Sequence, residues 1–322
     1  MRAVTYSQHG PSSVLTVQEV STPGPGPGEV RIKVDTAGVN PTDFKVRNAG
    51  PAIPFDFQVP CHDAAGVIEA VGSGVDPARI GERVWVFLAA FQRQWGTAAQ
   101  YAVVPARLAV PLPAGITSEQ AAGLGVPYLT AHACLFSDGP LDGATVLVAG
   151  GAGAVGHAAI ELAVRAGAHV IATVSSAQKA ALAHAAGAHV VVNYKEPDAR
   201  EQISAAARAG VDRIIEVALG ANLALDLGVI APHGTIVTYA SEPTDPVLPT
   251  RELMNLNVTV RYMILYGFTP VMLTQAVADI TDALTEGALS ALPLHRFTLD
   301  QAAAAFDAVE GGAVGKVILD VE

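Results

Sequence analysis

The residues best suited to chemistry lie near the middle of the chain. Val146-Leu147-Val148-Ala149 is an apolar strand pattern that runs into Gly150-Gly151-Ala152-Gly153-Ala154-Val155-Gly156. A helix pattern with Ile160, Ala163 and Val164 on one face follows. Small residues at Gly150, Gly153, Ala154 and Gly156, with Val155 in the opening helical turn, let the backbone approach a pyrophosphate. The exposed N–H groups and the helix dipole then bind its charge. Read as Gly150-x-x-Gly153-x-x-Gly156 between a strand and a helix, the turn predicts a dinucleotide; without that context it would be an ordinary tight turn.

The end of the next strand selects the dinucleotide. NAD sites usually place Asp or Glu there, on the ribose 2′-hydroxyl. Here His169-Val170-Ile171-Ala172-Thr173-Val174 ends in Ser175-Ser176, with Lys179 one turn later, and Asn193-Tyr194-Lys195 follows the strand after that. Hydroxyls, a phenol and ammonium groups without an acid suit a 2′-phosphate, so NADPH is expected. Lys179 by itself reads as an exposed helical lysine.

Elements must hold these residues in place. At about 150 residues per domain, 322 residues make roughly two domains. With 51% hydrophobic and 15% charged residues the chain is not disordered. A net charge of −11 makes nucleic acid and anionic membrane poor partners. Two cysteines, Cys61 and Cys134, cannot form a disulfide framework or a four-cysteine zinc lobe. A reducing, cytoplasmic setting is expected. The first ten residues lack the apolar run of a signal peptide, and the most apolar stretch, 145–164, carries four glycines, His157 and Glu161.

The first 110 residues read as short strands (30–34, 67–71 and 83–87) separated by turns such as Pro23-Gly24-Pro25-Gly26-Pro27-Gly28, which predicts a small barrel or sandwich. Beyond Pro111-Leu112-Pro113 a helix opens at Ser118. From residue 144 onward, strands at about 146–149, 170–174, 190–193, 213–217, 235–239 and 258–264 alternate with alanine-rich helices, the spacing of a doubly wound parallel sheet. After a helix through Val309, Gly315-Lys316-Val317-Ile318-Leu319 reads as a final strand returning to the first domain. The expected division is 1–120 with 290–322, and 121–289.

This organisation resembles the medium-chain dehydrogenase/reductase superfamily, and within it the zinc-independent quinone oxidoreductases of the ζ-crystallin type. The matching stretches are Ala37-Gly38-Val39-Asn40-Pro41-Thr42-Asp43, Ala65-Gly66-Val67-Ile68-Glu69-Ala70-Val71-Gly72, Gly81-Glu82-Arg83-Val84 and Val126-Pro127-Tyr128-Leu129-Thr130-Ala131. The glycine turn, Asn193-Tyr194, Ile214-Ile215-Glu216 and Gly315-Lys316 match as well. The resemblance implies an α/β protein with a GroES-like catalytic β domain and a Rossmann NADP(H)-binding domain, usually a homodimer or homotetramer. It places Gly150, Gly153, Ala154, Val155 and Gly156 at the pyrophosphate and Ser175, Lys179 and Tyr194 at the 2′-phosphate. Thr130, Ala218, Tyr239, Ser241 and Lys316 fall against the rest of the cofactor, and Asn40 and Asp43 beside the nicotinamide and substrate.

Zinc-dependent relatives carry Cys where this chain has Asn40, and their Gly-His-Glu aligns with Cys61-His62-Asp63. One histidine and an adjacent carboxylate fall short of the three protein ligands a catalytic zinc needs, so no metal is expected. Without a metal, hydrogen-bond donors must stabilise the oxyanion left by hydride addition. Asn40, Tyr128 and Tyr239 are the candidates, with Lys45 as a rim cation. Asp43 reads equally well as a helix cap. Three functions remain open: an NADPH-dependent quinone reductase; an enoyl reductase acting on an α,β-unsaturated carbonyl or thioester; and a non-enzymatic structural or RNA-binding protein, against which the acidic charge argues. Pocket walls are expected from 48–58, 91–95 and 262–268, and the strand at 258–265 could pair across a two-fold.

Overall fold

A computed structural model describes residues 1–321. The chain forms two compact units, Met1–Val126 with Ala291–Glu322, and Pro127–Ser290.

The first unit begins with strands β1 (Arg2–Thr5), β2 (Thr16–Glu19) and β3 (Glu29–Val39) and helix α1 (Pro41–Ala49). Strands β4 (Asp63–Val71), β5 (Arg83–Val86), β6 (Tyr101–Pro105) and β7 (Ala109–Pro111) follow, then the short helix α2 (Ser118–Ala121) and the start of α3 (Gly125–Phe136).

The second unit holds β8 (Thr145–Ala149), α4 (Ala154–Arg165), β9 (His169–Val174), α5 (Ala177–Ala185), β10 (Val190–Asn193) and α6 (Ala199–Ala206). It continues with β11 (Val211–Glu216), α7 (Leu219–Val229), β12 (Ile230–Thr238), α8 (Thr250–Leu256), β13 (Thr259–Tyr262) and α9 (Pro270–Thr285). The returning segment adds β14 (Leu294–Thr298), α10 (Ala302–Glu310) and β15 (Lys316–Asp320) to the first unit.

In the first unit a seven-stranded sheet runs β14-β15-β3-β4-β5-β7, with β6 also on β3. The strand expected at 30–34 is longer in the structure: β3 continues to Val39. Its later residues Ala37, Gly38 and Val39 are buried; all three pair with β15, and Ala37 and Gly38 pair with β4 as well. The strand Leu294–Thr298 was not foreseen: it is mostly exposed and lacks the alternation that marks a half-buried strand.

In the second unit six strands lie in the order β10-β9-β8-β11-β12-β13, and every pairing is parallel. The chain winds outward from β8 to β10, then returns beside β8 and winds the other way. Ligands of such sheets bind at the C-terminal strand ends, at this reversal. Apolar strands bury Leu147, Ile171, Val192, Ile214 and Ile236 in the core of this unit. The last strand is shorter than expected, ending at Tyr262. Among the described residues no helix is long and apolar enough to cross a membrane.

Candidate active site

Because the strands of the second unit are parallel, their C-terminal ends share one edge. Gly150, Ser175, Tyr194 and Tyr239 follow directly on β8, β9, β10 and β12, and Ala218 lies two residues beyond β11. The Tyr194 N–H donates to Val174 O at 3.0 Å, which sets the phenol-bearing residue beside Ser175. Ser176 is the N-cap of α5, accepting the Lys179 N–H at 3.3 Å. Ser241 lies three residues past β12, and Thr130 is buried on α3.

The glycines divide the work of the turn. Gly150 has φ +68°, a conformation that favours glycine. A Cβ on Gly151 would lie 2.8 Å from Ala172 Cβ. A Cβ on Gly156 would lie 2.3 Å from Gly150 O, so the helix can meet the strand only without one. Gly153 caps α4 and is exposed, and a Cβ there would approach the protein no closer than 3.4 Å, at Gly150 O. The space beside Gly153 is therefore open, unlike that beside Gly151 and Gly156. Gly151 was missed in the sequence: Gly151-x-Gly153-x-x-Gly156 is the usual dinucleotide spacing, and reading it from Gly150 concealed this.

Two glutamates of the second unit, named in the sequence without a role, are fixed points of the fold. Glu216 is fully buried; its Oε1 accepts the Ala218 N–H at 2.5 Å and Asn222 Nδ2 at 2.9 Å, fixing the loop after β11. Burial, with the Glu216 charge beside it, pushes the Asp226 carboxyl up to about 9. Glu161, on buried α4, accepts the Tyr128 hydroxyl at 2.6 Å through Oε2, while Oε1 takes the Ser290 N–H and hydroxyl at 2.7 and 2.6 Å. Burial and this carboxylate hold the Tyr128 phenol well above its ordinary range, which weakens it as a proton donor. An acid inside an otherwise apolar strand or helix was the available signal for both glutamates.

In the first unit Asn40, Asp43, Asp63 and Lys316 form one buried cluster. Asn40 is the N-cap of α1, and Asp43, at the third helical position, accepts the Asn40 backbone N–H at 2.7 Å as the acid of a capping box, the capping role the sequence allowed for. Asn40 Nδ2 donates to Asp63 Oδ2 at 2.8 Å, and Lys316 Nζ donates to Asn40 Oδ1 at 2.7 Å and Val39 O at 3.2 Å. Burial raises both carboxyls above the ordinary range and lowers the ammonium, and the attraction of opposite charges works against each shift. The resemblance places Lys316 at the cofactor; within the first unit its ammonium is bonded to Asn40 and Val39. Cys61, two residues before Asp63, takes φ +74°. Burial lowers the His62 imidazole to about 4, so it is neutral at physiological pH, and its Nε2 lies 3.9 Å from Asp43 Oδ1.

Residues 26–114 match the alcohol dehydrogenase GroES-like domain and residues 154–282 the zinc-binding dehydrogenase family. A rat (Rattus norvegicus) quinone oxidoreductase is 32% identical over 99% of this chain and 97% of its own length. A mycobacterial protein solved with NADPH is 32% identical, with 99% of each chain covered and a TM-score of 0.85. The Escherichia coli quinone oxidoreductase solved with NADPH is 25% identical, covers 99% of this chain and 100% of its own, and has a TM-score of 0.87. Fold and site define an oxidoreductase of the medium-chain dehydrogenase/reductase superfamily, with a GroES-like domain and a Rossmann-like parallel sheet. Within it, the chain belongs to the quinone oxidoreductase family.

The zinc in one matched family's description does not fit the residues present. Asn40 is committed to a carboxylate and an ammonium, and a buried ammonium is a poor neighbour for a divalent cation. Among the described residues no group of three or more His, Cys, Asp and Glu side chains is placed to hold a metal ion.

Proposed function

We propose that this chain reduces a quinone with NADPH by metal-free hydride transfer. The observation that carries the reading is the edge beyond β9 and β10, where Ser175, Lys179 and Tyr194 stand and no carboxylate occupies the usual NAD position. NADPH, when bound, supplies the hydride. The Gly150–Gly156 turn holds its pyrophosphate, with Gly153 leaving the room. Ala218, Tyr239 and Ser241 line the same edge toward the nicotinamide, and Thr130 supports them from α3. Residues 127–290 are thus the cofactor domain, and 1–126 with 291–321 the substrate domain.

Asn40 offers the donor on which negative charge at the substrate oxygen can settle. Asp43 fixes Asn40 through its backbone. We assign Tyr128 to holding Glu161 rather than to proton transfer, because its hydroxyl hydrogen already lies on that carboxylate. The acceptor is a quinone, as in the rat and Escherichia coli relatives' names. The chain pairs with a second copy through the open edge of β13, where Tyr262 and Ile264 are exposed. Two buried free thiols, Cys61 and Cys134, suit the cytoplasm.

The test is loss of NADPH absorbance with an ortho-quinone, a naphthoquinone and crotonyl-CoA in parallel. Turnover of either quinone but not the thioester is expected; turnover of the thioester alone would make the protein an enoyl reductase.

A further inference from the structure

Four groups of the first unit that have left water, Asn40, Asp43, Asp63 and Lys316, are each no more than 4% exposed. Their arrangement decides which way the Asn40 carboxamide points. The ammonium of Lys316 can only donate, so it must face Oδ1; the Asp63 carboxylate accepts, so it must face Nδ2. Both partners are held firmly. Asp63 takes the Val126 N–H on its two oxygens at 3.0 and 2.9 Å, and its backbone carbonyl takes the Thr97 hydroxyl at 2.8 Å. The aliphatic stem of Lys316 passes tightly over Gly38 and beside Gly123. A Cβ on Gly38 would lie 3.1 Å from Lys316 Cε, and one on Gly123 would lie 3.8 Å from its Cγ. Pairing of Val317 with Val39 anchors the strand that carries it.

We propose that Lys316 and Asp63 are positioning residues for the reaction, clamping Asn40 so that its second Nδ2 hydrogen is the donor presented to the substrate oxygen. This rests on the reading of Asn40 as the substrate-facing donor. With the opposite flip the amide would turn its oxygen toward developing negative charge. The cation on Oδ1 also polarises the amide, which strengthens the remaining N–H as a donor. Lys316 therefore acts through Asn40, not through the cofactor.

The test is a double-mutant cycle of Asn40→Ala and Lys316→Met, read as kcat and KM for a naphthoquinone and as NADPH affinity from nicotinamide fluorescence. Removing an oxyanion donor costs about 10²–10³ in kcat; Asn40→Ala should approach this, and Lys316→Met should lose about tenfold or more. NADPH affinity should be unchanged in Lys316→Met, and the double variant should be no slower than Asn40→Ala, since residues that act as a unit do not add. Multiplying losses, or weakened NADPH binding in Lys316→Met, would overturn the proposal. A slow Asn40→Ala beside a normal Lys316→Met would overturn the clamp and leave the Asn40 reading standing. A normal Asn40→Ala would overturn both. Should Lys316→Met fail to fold, Lys316→Met/Asp63→Asn removes both charges and keeps an acceptor for Nδ2; wild-type kcat in that variant would overturn the proposal equally.

Discussion

Tyr128 and Glu161 share a 2.6 Å hydrogen bond between side chains that are each about 95% buried. The same carboxylate also binds Ser290, so one side chain of α4 ties down residues near both ends of the second unit. Tyr128→Phe leaves Glu161 Oε2 without this donor and should cost about 1–3 kcal/mol in a denaturant melt. Quinone turnover per folded molecule should hardly change. A collapse of kcat without loss of stability would instead make Tyr128 a proton donor.

The last two glycines of the Gly150–Gly156 turn, Gly153 and Gly156, should fail in different ways. Gly153→Val places its side chain in open space, so the protein should melt normally and lose NADPH binding. Gly156→Ala drives a methyl group against Gly150 O and should lower Tm with or without cofactor. Overpacking of this kind costs about 1–3 kcal/mol. Thermal melts with and without NADPH separate the two.

Lys179→Ala should discriminate between cofactors. A lost charge-assisted bond to the 2′-phosphate is worth about 1.5–3 kcal/mol, or tenfold and more in NADPH affinity. NADH lacks that phosphate and should bind as before. Titration of both nucleotides against the variant checks this, and equal losses would remove Lys179 from the site.

Asp226 makes stability depend on pH. Its carboxyl rises from 3.8 to about 9 in the folded chain, so the folded state binds a proton that the unfolded state releases. The stability this contributes is complete in acid and is lost as pH rises through about 9. Asp226→Asn can donate to Glu216 at any pH. It should flatten the profile and raise Tm on the alkaline side, by about 2–4 °C per kcal/mol regained. Calorimetry across the pH range decides; an unchanged slope would mean that the two carboxyls do not share a proton.

A charge at the open sheet edge should separate the copies. Tyr262 is 63% and Ile264 64% exposed, beside a strand with one unpaired side. Ile264→Lys should shift sedimentation toward the monomer while leaving NADPH binding intact. An unchanged sedimentation profile would place the contact elsewhere.

Much of this was legible from local residues. Gly150 needs a positive φ, Ser175 and Lys179 follow a strand that ends without an acid, and the parallel sheet announces itself by its spacing; each depends on a few neighbours in sequence. The family resemblance picked out Asn40, Asp43 and Lys316, but not what they do to one another.

The sequence by itself determined the alternation of strands and helices, the dinucleotide turn and the choice of NADPH, because periodicity and backbone sterics act over short range. Only the tertiary structure decided that Glu161 accepts from Tyr128, 33 residues away, that Glu216 and Asp226 meet, and that Lys316 donates to Asn40 across 276 residues. A buried charge must find a partner wherever the fold brings one, and that partner leaves no mark in the surrounding sequence.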